Sequence, residues 1–427
     1  MNKALYWFRN DLRLADNPAL TDACAAADQL GYLYVVPAAE RAPTRWGFER
    51  AAPHRRAFRD QALDGLRTAL AQRDRELLVT TGVPAEVIAA TARASGVRTV
   101  FCEAIAAPEE LHEVDWLRAA GLDVRVRFQS SLVAPEALPF PTECLPGVFT
   151  TFRQAVEDAR VPVGLPLPVP RSLPAPLPPV AVAAAPRETL PPIPDGASFP
   201  FGAVEFNGAE QAAHAHLRRY FDSQAPRHYK ESRNELAGIG FSTKFSPWLA
   251  TGALSARSVH AALAAHEARL GGNDSTYWIW FELLWRDFFR FSSLQNGARL
   301  FRAAGLSRLP PPHHDPAAFS RWCAGQTGHS FIDAGMRELA ATGFLSNRMR
   351  QIVASYLVHD LACDWRAGAA WFESRLIDYD VCSNQGNWAY IAGRGADPRQ
   401  GRRFNTDKQA ASYDPEGRYR EKWARGA

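Results

Sequence analysis

The sequence predicts two domains of different class: an α/β N-terminal domain built on an open, doubly wound parallel sheet, and a larger all-α C-terminal domain. Three observations carry this. Over the first 130 residues, short apolar runs alternate with amphipathic stretches, the pattern of buried strands alternating with covering helices. Residues 161–200 hold thirteen of the chain's 31 prolines, and such a segment stays extended because each proline fixes φ and removes an amide donor. From about 205 onward the pattern turns to helical periodicity rich in tryptophan and arginine. The expected division is an α/β domain over 1–130, a connecting segment over 131–204 with its Pro-rich linker at 161–200, and a helical domain over 205–427.

Within the first domain, 5–8, 32–36, 77–80, 99–101 and 124–126 read as strands, and helices are expected at 17–28, 52–72, 84–95 and 108–120. Pro84 and Pro108 suit first helical turns, where a missing N–H costs nothing. No G-x-G-x-x-G follows any strand, so the sheet is Rossmann-like in its winding without the dinucleotide fingerprint, and a nucleotide cofactor is expected elsewhere.

Composition narrows the function classes. A chain of 427 residues with 47% apolar content buries a large core in more than one domain. Its six cysteines are scattered without C-x-x-C spacing, which argues against a disulfide framework, a zinc site or an iron–sulfur cluster, and no metal is expected. No apolar run reaches membrane-spanning length, so a cytoplasmic location is expected. The net charge of +4 divides into −2 over residues 1–200 and +6 over 201–427, which makes the helical half the candidate partner for a polyanion.

Four stretches of that half carry chemistry. Tyr229 and the run Ser242, Thr243, Lys244, Phe245 and Ser246 place hydroxyls, amides and one ammonium near a helix start, a cradle suited to pyrophosphate or an ordinary capped turn. In 273–291, Glu282, Arg286 and Arg290 recur every fourth residue beside Trp285 and Phe289. One face thus carries charge and a large π-surface, unless it is a solvated i, i+4 ion pair. Asn347 and Gln351 are four apart on an apolar helix and need partners if buried. Asp378 and Asp380, with Asn384 beyond them, form an acidic cluster for which Arg350 is an available counter-ion.

The motifs WFRNDLRLADNPAL, FSTKFSPWLATGALS, STYWIWFELLWRDFFRF, GQTGHSFIDAGMRELAATGFLSNRMRQIVASYLVHDLACDW and IDYDVCSNQGNWAYIAG strongly resemble, in order, the photolyase/cryptochrome family and specifically its cryptochrome-DASH branch. The resemblance implies a photolyase-type antenna domain followed by a helical domain that binds FAD and DNA. It implies that Tyr229 and Ser242 to Ser246 grip the FAD phosphates, that Arg286 and Asn347 line the flavin pocket, that Arg350 pairs with Asp378 beside the ring, that Asp380 meets the cofactor's polar edge, and that Asn384 faces flavin N5.

The implied activity is blue-light-driven splitting of cyclobutane pyrimidine dimers by a deoxyribodipyrimidine photolyase, with Glu282 on the thymine edges and Trp285 stacked on the flipped-out dimer. Gln351 and Tyr390 stand where dimer photolyases usually have methionine and tryptophan, which implies weaker stacking and a preference for single-stranded or looped DNA; RNA is a second implied partner. Arg394, Arg399, Arg402 and Arg403 are the expected phosphate contacts, and a monomer is expected. Trp388 and Trp365 match two members of the family's electron-transfer chain, while the position of its surface tryptophan falls in Leu309–His314, which has none. A folate antenna (methenyltetrahydrofolate) would draw on Glu103. The competing reading is a blue-light photoreceptor that binds nucleic acid without efficient repair.

Overall fold

The computed structural model describes residues 1–180, 183–396 and 401–424. Five strands, β1 (Lys3–Phe8), β2 (Gln29–Pro37), β3 (Leu77–Gly82), β4 (Thr99–Glu103) and β5 (Asp123–Arg127), pair in the order β3-β2-β1-β4-β5, all parallel. Alternation of side chains, with a core on either side of the sheet, explains why β1 is apolar from Ala4 to Phe8. Tyr6 and Phe8 enter the core under α1 (Pro18–Ala26) and α2 (Pro53–Ala71), whereas Leu5 and Trp7 enter the core under α3 (Pro84–Ser95) and α4 (Pro108–Ala119). Each of these four helices opens on a proline, as expected for a first-turn position.

The connecting segment holds one helix that the sequence reading did not foresee, α5 (Phe149–Asp158). Its Phe149, Phe152 and Val156 join the core of the helical domain. Within the Pro-rich stretch, residues 173–176 ride on the sheet domain: β6 (Ala175–Pro176) pairs with the start of β2, and Arg75 donates to the carbonyls of Leu173 and Pro174.

The helical domain comprises α6 (Glu210–Asp222), α7 (Tyr229–Ser232), α8 (Ser246–Thr251), α9 (Ala256–Leu270), α10 (Asp274–Asn296), α11 (Pro316–Cys323), α12 (Ser330–Thr342), α13 (Asn347–Ser355), α14 (Trp365–Arg375), α15 (Val381–Ile391), α16 (Thr406–Tyr413) and α17 (Arg418–Lys422). Its central helix α10 starts from a reciprocal cap between Asn273 and Thr276.

The opening motif of the chain fastens the two domains together. Arg13 Nη1 donates to the Gly252 carbonyl (2.9 Å), Leu12 N donates to the Thr251 carbonyl (3.1 Å), and Arg257 pairs with the buried Asp16 (2.8 Å). Gly252 sits at φ +75°, and a Cβ there would lie 1.9 Å from the Asn10 carbonyl oxygen, so the close approach requires glycine.

Candidate functional site

Two chambers that share Asn347, Arg350, Gln351, Asp378 and Ser383 in their walls open among α10, α13 and α15, one of 540 Å³ and one of 100 Å³. The larger is lined at one end by Tyr229 and Ser242–Ser246. His216 on α6 pins this loop through a contact of 2.9 Å between Nε2 and the Thr243 carbonyl, and Ser246 and Pro247 form the first turn of α8.

Lys244 is the most telling group of the loop. It lies in the left-handed region (φ +57°), is 2% exposed, and its Nζ has no hydrogen-bond partner, resting 3.3 Å from the centroid of the Phe241 ring. Burial drives its pKa well below the ordinary lysine value, against the opposing attraction of Glu338. An ammonium left this way costs several kcal/mol, and an anion beside it removes the cost. The loop therefore fits a phosphate-bearing ligand such as FAD.

The smaller chamber is lined by polar groups held by neighbours. Arg350 pairs with Asp378 at 2.8 Å and donates to the Leu345 carbonyl, while Asp378 Oδ1 has no partner. Asp380 caps α15 by accepting from Ser383 N, and pairs with Arg290 at 2.5 Å. Burial pushes the Asp380 carboxyl up, but the Arg290 and Arg286 guanidiniums and the Ser383 hydrogen bonds outweigh it and hold the group below the usual range. Asn384 donates its amide to the Ala369 carbonyl (3.0 Å), and no described donor reaches its side-chain oxygen. Arg286 donates to the Leu249 carbonyl at 3.2 Å, and burial followed by repulsion from Arg290 lowers its pKa to about 10. Trp388 lines this chamber; Trp365 is buried in α14, donates to the Ala303 carbonyl (3.2 Å) and lines neither chamber.

Toward the outside, Glu282 is bound by Arg233, whose guanidinium also covers Trp278 at 4.7 Å. Burial raises the Glu282 carboxyl, with Arg233 opposing. Trp285 is stacked face to face on Phe149 (3.8 Å, 12°), so one side of its ring is taken, and the residue lines the larger chamber. Gln351 accepts from Arg348 (3.2 Å), which also donates to Asn234 (2.8 Å). Tyr390 and Arg402 meet as ring and cation at 4.7 Å.

Several expected residues lie elsewhere. Arg394 is no surface phosphate contact: it is 8% exposed and donates to the carbonyls of Leu309 and Pro310, holding that segment in place. Arg403 is exposed but pairs with Asp360 at 2.7 Å, away from both chambers. Arg399 falls outside the described residues. Glu103 ends β4 wholly buried, accepts from the Ser130 hydroxyl, and does not line the separate 290 Å³ cavity between the domains, so it offers no exposed carboxylate to a pigment.

Sequence reading also passed over Arg233, Asn234, Trp278, Arg348 and Phe149. Arg233 stands four residues after Tyr229, and helical spacing alone would have put it on the same face. Phe149 carried no local signal, because it reaches α10 from the connecting segment.

Residues 4–174 match the family described as DNA photolyase, and residues 278–425 match the FAD binding domain of DNA photolyase. The cryptochrome DASH of Gloeobacter violaceus is 43% identical over 430 residues, covering 98% of this chain and 85% of the relative. The solved Synechocystis cryptochrome superposes with a TM-score of 0.92 at 41% identity, over 99% of this chain and 88% of that one. A bacterial class III photolyase from Agrobacterium tumefaciens gives a TM-score of 0.79 at 26% identity, over 99% and 86%. With both halves matched in order and near-complete coverage of its own length by these relatives, this chain belongs to the photolyase/cryptochrome family, in its cryptochrome-DASH branch, and binds FAD.

Proposed function

We propose that the protein repairs cyclobutane pyrimidine dimers under blue light and prefers single-stranded or looped DNA. One observation carries the reading: Glu282, Trp285 and Gln351 stand in the wall of the same 540 Å³ chamber as the Ser242–Ser246 cradle, so a flipped base and the cofactor would share one cavity. Bound FAD in its reduced form supplies, on excitation by blue light, the electron that splits the cyclobutane ring.

The chain's own residues bind and position. Lys244 and the loop hydroxyls hold the phosphates, and Arg350 with Asp378 flanks the ring. The side-chain oxygen of Asn384 is left to accept from N5–H, because its amide is tied to Ala369. Trp285 offers one ring face to a flipped base, with Phe149 bracing the other. Glu282 is released to the thymine edges when Arg233 turns to backbone phosphate; Arg348 and Arg402 line the same mouth.

The strand preference follows from the polar rim. Gln351 and Tyr390 give less stacking area than methionine and tryptophan. Stacking on a flipped base is worth roughly 1–3 kcal/mol, comparable with the few kcal/mol that extrusion from a duplex costs.

The test is dimer repair by purified, chemically reduced protein under blue light, on single-stranded and duplex DNA, with Glu282→Ala as the control. The expected result is faster repair of the single strand, at least tenfold slower in the control. Bound FAD with no repair of either strand would favour the photoreceptor reading instead.

A further inference from the structure

The sequence leaves one gap: a route that brings electrons from the surface to the flavin has no tryptophan in Leu309–His314. The fold supplies an indole at that place from the other domain. His314 packs on Trp46, a residue of the loop between β2 and α2, with ring centroids 4.8 Å apart. Trp46 is partly exposed and lines a surface groove.

Inward from Trp46 the aromatic rings are continuous. Trp46 and Phe319 lie 6.3 Å apart, Phe319 and Trp322 are stacked at 6.0 Å, and Trp322 meets Trp388 edge to face at 6.3 Å. Trp388 lines the smaller chamber. Trp322 is 0% exposed, and its indole N–H donates to the Val353 carbonyl at 3.1 Å, an acceptor that favours positive charge on the ring. Trp365, by contrast, shows no ring contact among the described aromatic pairs.

We propose that Trp46 is the surface end of an electron route running inward through Trp322 to Trp388. The proposal rests on the reading that the working cofactor is reduced FAD, which must be generated from the oxidised form. Trp388 gives one electron to the light-excited oxidised cofactor and recovers it from Trp322. Trp322 recovers its electron from Trp46 across the Phe319 ring, and Trp46 from an external thiol. Two such events convert two thiols to one disulfide and release two protons; the cofactor takes both electrons and one proton, and solvent takes the other. No bond within the protein forms or breaks.

The surroundings of Trp46 suit an end point. Burial holds the His314 pKa below the usual histidine value, so at neutral pH that neighbour is an uncharged ring. The Arg45 guanidinium lies over the indole at 4.5 Å and opposes a lasting positive charge, which favours loss of the indole proton to water and slows return of the electron.

Transient absorption after blue excitation of the oxidised holoprotein, followed by thiol-supported anaerobic photoreduction, tests the route. Trp46→Phe and Trp322→Phe are each expected to shorten the charge-separated state and slow photoreduction at least tenfold. Trp46→Phe should keep its FAD content and its dimer repair when reduced chemically. Because Trp322 is fully buried and its replacement can disturb packing, pulsed electron paramagnetic resonance on the unaltered protein provides a second measurement: the flavin-to-tryptophan radical separation should match Trp46. Wild-type lifetimes and photoreduction in Trp46→Phe, or a separation matching Trp365, would overturn the route. Failure of repair by the chemically reduced protein would instead sink the repair reading and leave these spectroscopic outcomes decisive for the route.

Discussion

Two cavities of the molecule, the one between the domains and the larger chamber of the helical domain, treat charge differently. In the cavity between the domains, Arg9 is paired with Glu113, Arg50 with Glu109 and Glu373, and Arg56 with Glu49 and Glu188, at 2.5–2.8 Å. In the larger chamber of the helical domain, Lys244 Nζ, Asp378 Oδ1 and Arg348 Nε are buried without hydrogen-bond partners. Charges neutralised by the chain hold elements together. Polar atoms left open, on Lys244 entirely and on the otherwise paired Asp378 and Arg348 in part, mark where a polar ligand fits.

The sharpest way to break this contrast is Lys244→Met. Removing a buried partner of the phosphates should weaken FAD binding about a thousandfold, roughly 4 kcal/mol. The apoprotein should melt no lower than the unaltered one, because an unpaired buried ammonium has been removed. A lower apoprotein melting temperature would mean that Lys244 is a structural group.

Next in size is a pH effect at Glu338, which faces Lys244. Its carboxyl accepts from Ser198 and Tyr419, and burial raises its pKa from 4.5 to about 7. The folded form thus holds a proton that the unfolded form has lost between those values. Stability from this group is full below pH 4.5 and is lost as pH rises to about 7, by up to about 3 kcal/mol. Denaturant unfolding of Glu338→Gln should be flatter than the unaltered protein over that window.

Asp378→Asn should then cost about 2 kcal/mol, less than a fully buried pair because Arg350 keeps some contact with solvent, and should shift the bound flavin spectrum. Smallest is Arg50→Ala in the other cavity. A loss of about 1 kcal/mol in unfolding free energy with flavin content unchanged is expected, and loss of flavin would erase the distinction between the cavities.

Much of this was legible in the chain. The α/β domain could be read because its central strands β1 and β2 are mostly apolar on both faces and its helices start on prolines, local signals that survive without tertiary context. The Ser242–Ser246 loop could be singled out because it packs its polar groups into a few residues, whereas the Arg350–Asp378 pair spans 28 positions and was expected from the family resemblance. What escaped reading depended on long-range packing. The cover on Trp285 comes from Phe149, 136 positions away by residue number. Arg394 looked like a surface arginine until the Leu309–Pro310 carbonyls enclosed it. Glu103 sits at a strand end, where ligands often bind, yet its oxygen is turned inward to Ser130.

The clasp made by Arg13 has a consequence for synthesis. Its acceptor, the Gly252 carbonyl, lies 239 residues further along the chain. At about 5–20 residues per second, a ribosome takes roughly 12–50 s to make the partner after the arginine has left it. During that interval the N-terminal domain presents a surface whose matching half does not yet exist. The polar character of the clasp, with guanidinium, carboxylate and open backbone groups in place of apolar side chains, lets that surface wait in water. The oldest part of each nascent molecule thus waits for a segment from the middle of the chain to close it.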